Sequence, residues 1–436
     1  MAVNGIRRTG KTLLLMVANL VSLTGVAQRA EAGSSAPAAR PSTPPWHFEH
    51  RVLQDYFTDA DAMNGECAIV DIDGDGRPDL WWSCYAFVHD ETAYGRQKDL
   101  YQMAWYKGPD FKQMFRMHKG VTHGGNWLDI NGDGRMDLVT GLAIESHDLV
   151  WLENPMHPGQ TRDWPMHLIH QGEIDPDMIL FGDLDGNGRQ DIVVQSFRND
   201  VHVLLAPADP LNGKWEVFHV GHSDHARTGA SIGDVDGDGD LDVVWGRGWL
   251  ENPGDPRLPW KDHVIDPQFG YDAQSVVVDL DKDGRPDVVL ASEEGIDGVA
   301  WYSWDTVQNS WLRHQIAPAQ SYSGLHSLRI ADFDGDSDMD VFTAEMAMSG
   351  YIRQEPPHKV AVWENVEIKK NEWREHILAE TGSHNARVGD VNGDGLPDVI
   401  GSNWNNRLKE CPMKAEIWVN RMGSGPSTRS EEKRKP

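Results

Sequence analysis

A nonapeptide with acidic residues at alternate positions recurs seven times in this chain. It reads DIDGDGRPD from Asp71, DINGDGRMD from Asp129, DLDGNGRQD from Asp183 and DVDGDGDLD from Asp234. It continues as DLDKDGRPD from Asp279, DFDGDSDMD from Asp332 and DVNGDGLPD from Asp390. Positions 1, 3, 5 and 9 are always Asp or Asn. In chain order they are Asp71, Asp73, Asp75, Asp79; Asp129, Asn131, Asp133, Asp137; Asp183, Asp185, Asn187, Asp191; and Asp234, Asp236, Asp238, Asp242. The last three copies supply Asp279, Asp281, Asp283, Asp287; Asp332, Asp334, Asp336, Asp340; and Asp390, Asn392, Asp394, Asp398. Of these 28 positions 25 are Asp, a density of like charge that calls for a counter-ion. Calcium takes six to eight oxygens at about 2.3–2.6 Å, which three Asp/Asn side chains, a carbonyl and a bidentate Asp supply. Up to seven structural calcium ions are therefore expected. Lys282 at position 4 and Ser337 at position 6 stand where the other copies have Gly, and a left-handed backbone is wanted there. Those two loops are expected to be the weaker or empty ones.

The loops need elements to carry them. An EF-hand would continue into a helix, but here the flanks read DLVTG, DIVVQ, DVVWG, DVVLA and DVIGS, short apolar strands bounded by turns. Two further echoes follow each loop. One is Trp-Leu-Glu-Asn-Pro at Trp151 and Trp249, and Trp-Glu-Asn at Trp363. The other is an aromatic followed by His and an apolar pair, as in WPMHLI, WEVFHV, WKDHVI, WLRHQI and WREHIL. Each unit thus holds about four strands in 45–58 residues, the period of a propeller blade. The expected fold is all-β, a seven-bladed β-propeller with calcium-binding loops over 46–422. WHFEHRVL from Trp46 is an outermost strand with no inner strands before it, and AEIWVNRM to Met422 ends on a third strand. The N-terminal strand is therefore expected to close the last blade. The repeated outer-strand histidines, His50, His118, His167, His219, His263, His314 and His376, are expected to be packed or hydrogen-bonded rather than ligands.

That scheme places a second set of candidates. Six residues at about 3.3 Å each span a blade, so the residue six places before each loop marks the mouth of the central channel. These are Gly65, His123, Asp177, Thr228, Ala273, His326 and His384, with Asn64 and Glu66 beside the first. His123, Asp177, His326 and His384 form an expected transition-metal site suited to zinc or manganese, with room for water or substrate. The opposite arc offers His225, Arg227, Tyr271 and Gln274. Arg227 would bind a carboxylate or hydroxyls, and His225 or Tyr271 would move a proton. Water-filled plugging of the channel by polar side chains is the plain alternative. Cys67 and Cys84 are equidistant from the centre of the first loop, so they face each other across a hairpin as a disulfide or as two buried thiols.

Composition excludes other classes. The 436 residues carry a formal net charge of −28, which nucleic acid and anionic membrane surfaces repel. Residues 1–32, with Arg7, Arg8 and Lys11 before an apolar stretch and Ala30-Glu31-Ala32 after it, read as a secretory signal peptide. Residues 33–45 read as a linker and 423–436 as a disordered tail. Beyond the signal no apolar run is long enough to span a bilayer, so a secreted or periplasmic protein is expected. No nucleophile elbow, phosphate loop or zincin helix is present.

The nonapeptides and their strand context resemble the FG-GAP/VCBS repeat β-propellers, whose calcium loop joins the innermost strand to the second. With the aromatic-His outer strands and the channel-mouth histidines, the pattern also looks like the propeller domain of aldos-2-ulose (anhydrofructose) dehydratases. That resemblance implies a carbon–oxygen lyase, a sugar dehydratase or polysaccharide lyase, acting by β-elimination on a carbohydrate. The cupin domains of that family have no counterpart here. A non-catalytic calcium-stabilised propeller that binds glycan or protein is the competing expectation, since propellers host both.

Overall fold

The computed structural model describes residues 46–53, 63–85, 103–117, 123–142, 148–172, 174, 176–225, 229–293, 295–347, 357–404 and 414–422. All of them belong to one compact unit. The expected signal peptide, linker and tail lie outside the described residues, as do His118, Arg227, Thr228 and Cys411 and the side chains of Asn64 and His123.

Among the described residues, every strand falls into one of seven four-stranded antiparallel sheets. Apart from a single turn at Ile368–Lys370 there is no helix among them, and none long and apolar enough to cross a membrane. The innermost strands are Met63–Val70, His123–Leu128, Pro176–Gly182, Ser231–Gly233, Ala273–Val278, Leu325–Ala331 and His384–Gly389. Each packs beside the next, and the last packs beside the first, so the ring is closed. We number the blades one to seven in that order.

Alternation explains why the sheets stack. Second strands are buried on both faces, as in Asp191–Ser196 and Asp287–Ser292; outermost strands such as Lys261–Val264 are largely exposed. The buried apolar side chains gather into seven clusters, one at each blade-to-blade junction. The junction between blades seven and one joins Ile400 and Ile417 to Leu80 and Trp82, so ring closure rests on burial as well as on strand pairing.

Phe48–Val52 pairs with Glu416–Asn420 and completes blade seven, which leaves no three-stranded blade with an open edge. Trp46 stacks on His376 of blade six with ring centroids 4.1 Å apart. Arg421 reaches Glu49 at 2.9 Å, and the Arg421 N–H donates to the His47 carbonyl at 2.8 Å.

The two short echoes have structural tasks. The outer-strand histidines lie on the third-strand tryptophans: Trp151 on His167, Trp249 on His263, Trp301 on His314 and Trp418 on His50, at centroid separations of 4.0–5.1 Å. The asparagine that follows stitches blades together. Asn154 donates to the Ile72 carbonyl of the preceding blade at 2.8 Å, Asn252 to Leu184 at 3.0 Å and Asn420 to Phe333 at 2.8 Å.

Cys67 and Cys84 are both buried and form no disulfide. The bulge in the first hairpin sets Cys67 opposite Trp82 and Cys84 opposite Asn64, so the symmetric placement expected from sequence does not bring the sulfurs face to face.

Candidate functional site at the channel mouth

The acidic loops lie at one end of the innermost strands. In the first, Asp71 folds the chain by accepting the Gly74 and Gly76 N–H groups at 2.9 and 2.8 Å. Position 9 is a staple: Asp79 accepts the Ile72 N–H at 3.0 Å through one oxygen and the Gly108 N–H at 2.8 Å through the other. The same pair of bonds recurs at Asp137, Asp191, Asp242, Asp340 and Asp398. In at least four loops the acids at positions 1, 3 and 9 bring ligand atoms within 4.8 Å of one another, close enough to hold a metal ion. Burial and the neighbouring carboxylates push Asp79 up to about 6, Asp137, Asp287 and Asp398 to about 7, and Asp242 and Asp340 to about 8. A bound cation would relieve that crowding, so the residues present fit a divalent ion with oxygen ligands. Lys282 and Ser337 keep the loop backbone at φ of 60° and 76°. Loop one has a cation of its own, for the Lys107 ammonium pairs with both Asp73 and Asp75.

The other end of the inner strands is irregular. Register shifts occur between Asn64 and Cys67, His123 and Asn126, Pro176 and Met178, Leu325 and Ser327, and His384 and Arg387. Glu66, Asp177 and His326 therefore sit on bulges, which re-aim a side chain without ending the strand. Glu66, Asp177 and Glu293 are close enough for their charges to act on one another. Burial is the first cause of the well-raised Asp177 pKa; Glu293 and Glu66 add to it, and His326 and a hydrogen bond from Gln195 oppose it. Burial likewise pushes Glu66 up to about 7, with Arg387 opposing and Glu293 adding.

The remaining contacts fix orientation. The Arg387 guanidinium meets Glu66 at 2.5 Å. Glu293 lies 3.2 Å from His326 Nδ1 and accepts from Gln274 Nε2 at 3.0 Å. His384 is buried, 5.2 Å from the His326 ring and edge-on to Trp404 at 4.5 Å. The buried carboxylates of Glu66 and Glu293, the half-buried Asp177, two imidazoles and one guanidinium therefore converge from blades one, three, five, six and seven.

Of the residues singled out from sequence, Asp177, His326 and His384 fall in this region, and His123 begins the inner strand of blade two. His225 and Tyr271 are stacked at 4.0 Å, and the Arg247 guanidinium covers the Tyr271 ring at 3.7 Å. Both faces of Tyr271 are thus occupied. Arg227 and Thr228 lie outside the described residues. Gly65 is a packing residue, because a Cβ there would lie 2.5 Å from Ser83 Oγ.

Glu293 and Arg387 escaped the sequence reading. Glu293 directly follows the second strand of blade five, and a second strand returns from the loop to the mouth. An acid immediately after DVVLAS was the available signal. Arg387 is displaced by the blade-seven bulge, for which the sequence offers no marker.

Stretches 129–194, 183–245 and 279–343 match the family model described as FG-GAP-like repeat. The chain carries FG-GAP-like repeats. No curated protein matches the sequence. Several solved structures resemble it distantly. An N-acetylglucosamine-recognising lectin of Agrocybe aegerita is 15% identical, with 73% of this chain and 81% of that one covered at a TM-score of 0.44. A rhamnogalacturonan lyase of Bacillus licheniformis is 13% identical, with 85% and 75% covered at 0.45. The rhamnogalacturonan lyase YesW is 13% identical, with 87% and 75% covered at 0.46.

Proposed function

We propose that this protein is an exported, carbohydrate-directed propeller whose channel mouth holds a divalent transition metal. Calcium ions in its acidic loops would hold the ring, and residues 1–32 would direct export. The observation that carries the reading is the convergence of Glu66, Asp177 and Glu293 with His326 and His384. Three carboxylates against one guanidinium leave excess negative charge in a buried site, and carboxylate with imidazole suits zinc or manganese. Asp177, Glu66, His326 and His384 would hold the ion. Glu293, bonded to His326 Nδ1, would fix that ring, as carboxylates beside ligating histidines commonly do.

Such an ion, when bound, polarises a carbonyl or carboxylate and acidifies the adjacent C–H, which is the requirement for β-elimination from a sugar. Arg387 would orient an anionic sugar group, and His225, at the rim, would move the proton. The competing reading is a sugar-binding propeller without catalysis. Tyr271, held between Arg247 and His225, offers a sugar no open ring face, so that reading rests on the polar groups of the mouth.

Elemental analysis after dialysis tests the metal, comparing the parent with an Asp177→Asn, His326→Gln variant in calcium. The parent should carry one zinc or manganese that the variant lacks. Activity would appear as ultraviolet absorbance of an unsaturated sugar released from uronic-acid or keto-sugar substrates. A retained metal with no product across such substrates selects the binding reading; identical metal content in the two proteins removes the site itself.

A further inference from the structure

Blade three breaks a pattern that other blades keep. The third-strand tryptophan that receives the outer histidine in blades two, four, five and seven is replaced by His202, which pairs across the ladder with His219. Their rings are tilted at 5.2 Å rather than stacked.

A second departure lies three residues further along. The outer strand Glu216–His222 carries a bulge, so that His202 faces His219 and Asp200 faces His222. Blades two, five and six have a bulge at the corresponding place, but the residue three beyond the outer histidine is His170, Ala317 or Ala379. Opposite His170 stands Leu149, opposite Ala317 stands Val299, and opposite Ala379 stands Val360. Blade three puts a histidine and an aspartate at that pair. The shared bulge thus supplies the geometry and blade three supplies the donors.

Asp200 Oδ1 lies 2.9 Å from His219 Nε2 and 2.7 Å from His222 Nδ1. The three side chains bring ligand atoms within 4.8 Å of one another. His222 Nε2 is also 3.8 Å from Asp224. The face is open to solvent, with His219 and His222 exposed by 52% and 55% and Asp200 by 22%. Behind it, His202 Nδ1 is buried with no hydrogen-bond partner, a nitrogen that packing alone does not account for.

We propose that Asp200, His219 and His222 form a zinc site on the outer edge of blade three, separate from the channel mouth and from the acidic loops. Two imidazoles and one carboxylate match zinc's preference for nitrogen and oxygen donors, and three protein ligands leave one position for water or an outside ligand. The carboxylate already draws both nitrogens to one point, where the metal ion takes the place of the two N–H protons. The nitrogen-rich donor set separates this site from the all-oxygen loops, which suit calcium.

The test is a zinc titration against a chromophoric chelator at neutral pH, with millimolar calcium occupying the loops. Three proteins are compared: the parent, a His219→Gln, His222→Gln variant, and the Asp177→Asn, His326→Gln variant of the mouth. The blade-three variant should lose one equivalent of zinc, or bind it at least about tenfold more weakly. The mouth variant should keep that equivalent. His222→Gln alone, at an exposed position, repeats the measurement if the double variant does not fold. Equal zinc stoichiometry and affinity in the parent and in the blade-three variants would overturn the proposal and leave a hydrogen-bonded Asp–His network.

Discussion

Lys282 donates through Nζ to the carbonyl oxygen of Ser337 at 2.7 Å and to Asp338 at 2.7 Å. These are the two residues that stand where other loops have glycine. The side chain that departs from the pattern in loop five braces the loop that departs in loop six. Both adopt left-handed backbone, which costs a residue with a Cβ about 1–2 kcal/mol. Ser337→Gly should remove that strain and keep the Lys282 contact, which uses the backbone. A stabilisation of about 1 kcal/mol is expected, read as a higher midpoint in urea at unchanged slope.

Chelation tests the loops as a set. A ligand bound only by the native state stabilises by mass action. Exhaustive EDTA treatment should lower the melting temperature well beyond scatter, and added calcium should restore it. An unchanged melting curve would falsify calcium as the stabilising ion.

Lys107 gives a finer count. Its ammonium lies between Asp73 and Asp75, so the first loop carries a built-in cation. Replacing Lys107 with Met should raise bound calcium by one equivalent per chain, measured by elemental analysis after gel filtration in limiting calcium. Equal calcium in the two proteins would show that the ammonium yields its place to the metal.

Glu49 reports on ring closure through pH. Hydrogen bonds from Arg51 and Arg421 lower its pKa from 4.5 to about 2. The folded value lies below the unfolded one, so the stabilisation is present above pH 4.5 and is lost as pH falls towards 2. The side chain is 45% exposed, which keeps the effect small. Glu49→Gln should flatten the acid limb of the stability profile below pH 4.5 slightly and leave the neutral limb parallel to the parent's.

Removing Trp46–Leu53 is the stronger version of that test. Blade seven would lose its outermost strand, and blade six would lose the Trp46 ring on His376. Lower stability or self-association through the exposed edge is expected in scanning calorimetry and light scattering. A monomer as stable as the parent would show that the strand is an accessory.

The blade count and the closing strand were legible because both rest on repetition: nine residues seven times, and an outer-strand echo with no inner strands before it. The mouth was legible only to the register. Asp177 and His326 lie at the counted positions, but their side chains are aimed by bulges, and a bulge depends on how two strands share hydrogen bonds rather than on composition. Arg387 is placed by such a shift. Glu293 comes from a different strand altogether, so counting back from the loops could not reach it. The cysteines fail for the same reason: symmetric spacing about a turn predicts facing residues only where the ladder is regular, and the first hairpin is not.

The bulges at the mouth also bear on how such a ring changes by mutation. A bulged residue has no partner opposite it, so replacing Glu66, Asp177 or His326 leaves the neighbouring cross-strand pairs as they are. The staples and stitches that hold each blade lie at its opposite, loop end and on other strands, with Asp79, Asn154 and their counterparts. The bulged blades therefore contribute groups to the centre nearly independently of their own stability. The ring behaves as a dial whose bulged positions can be reset one blade at a time, so that new chemistry is reached without passing through an unfolded intermediate.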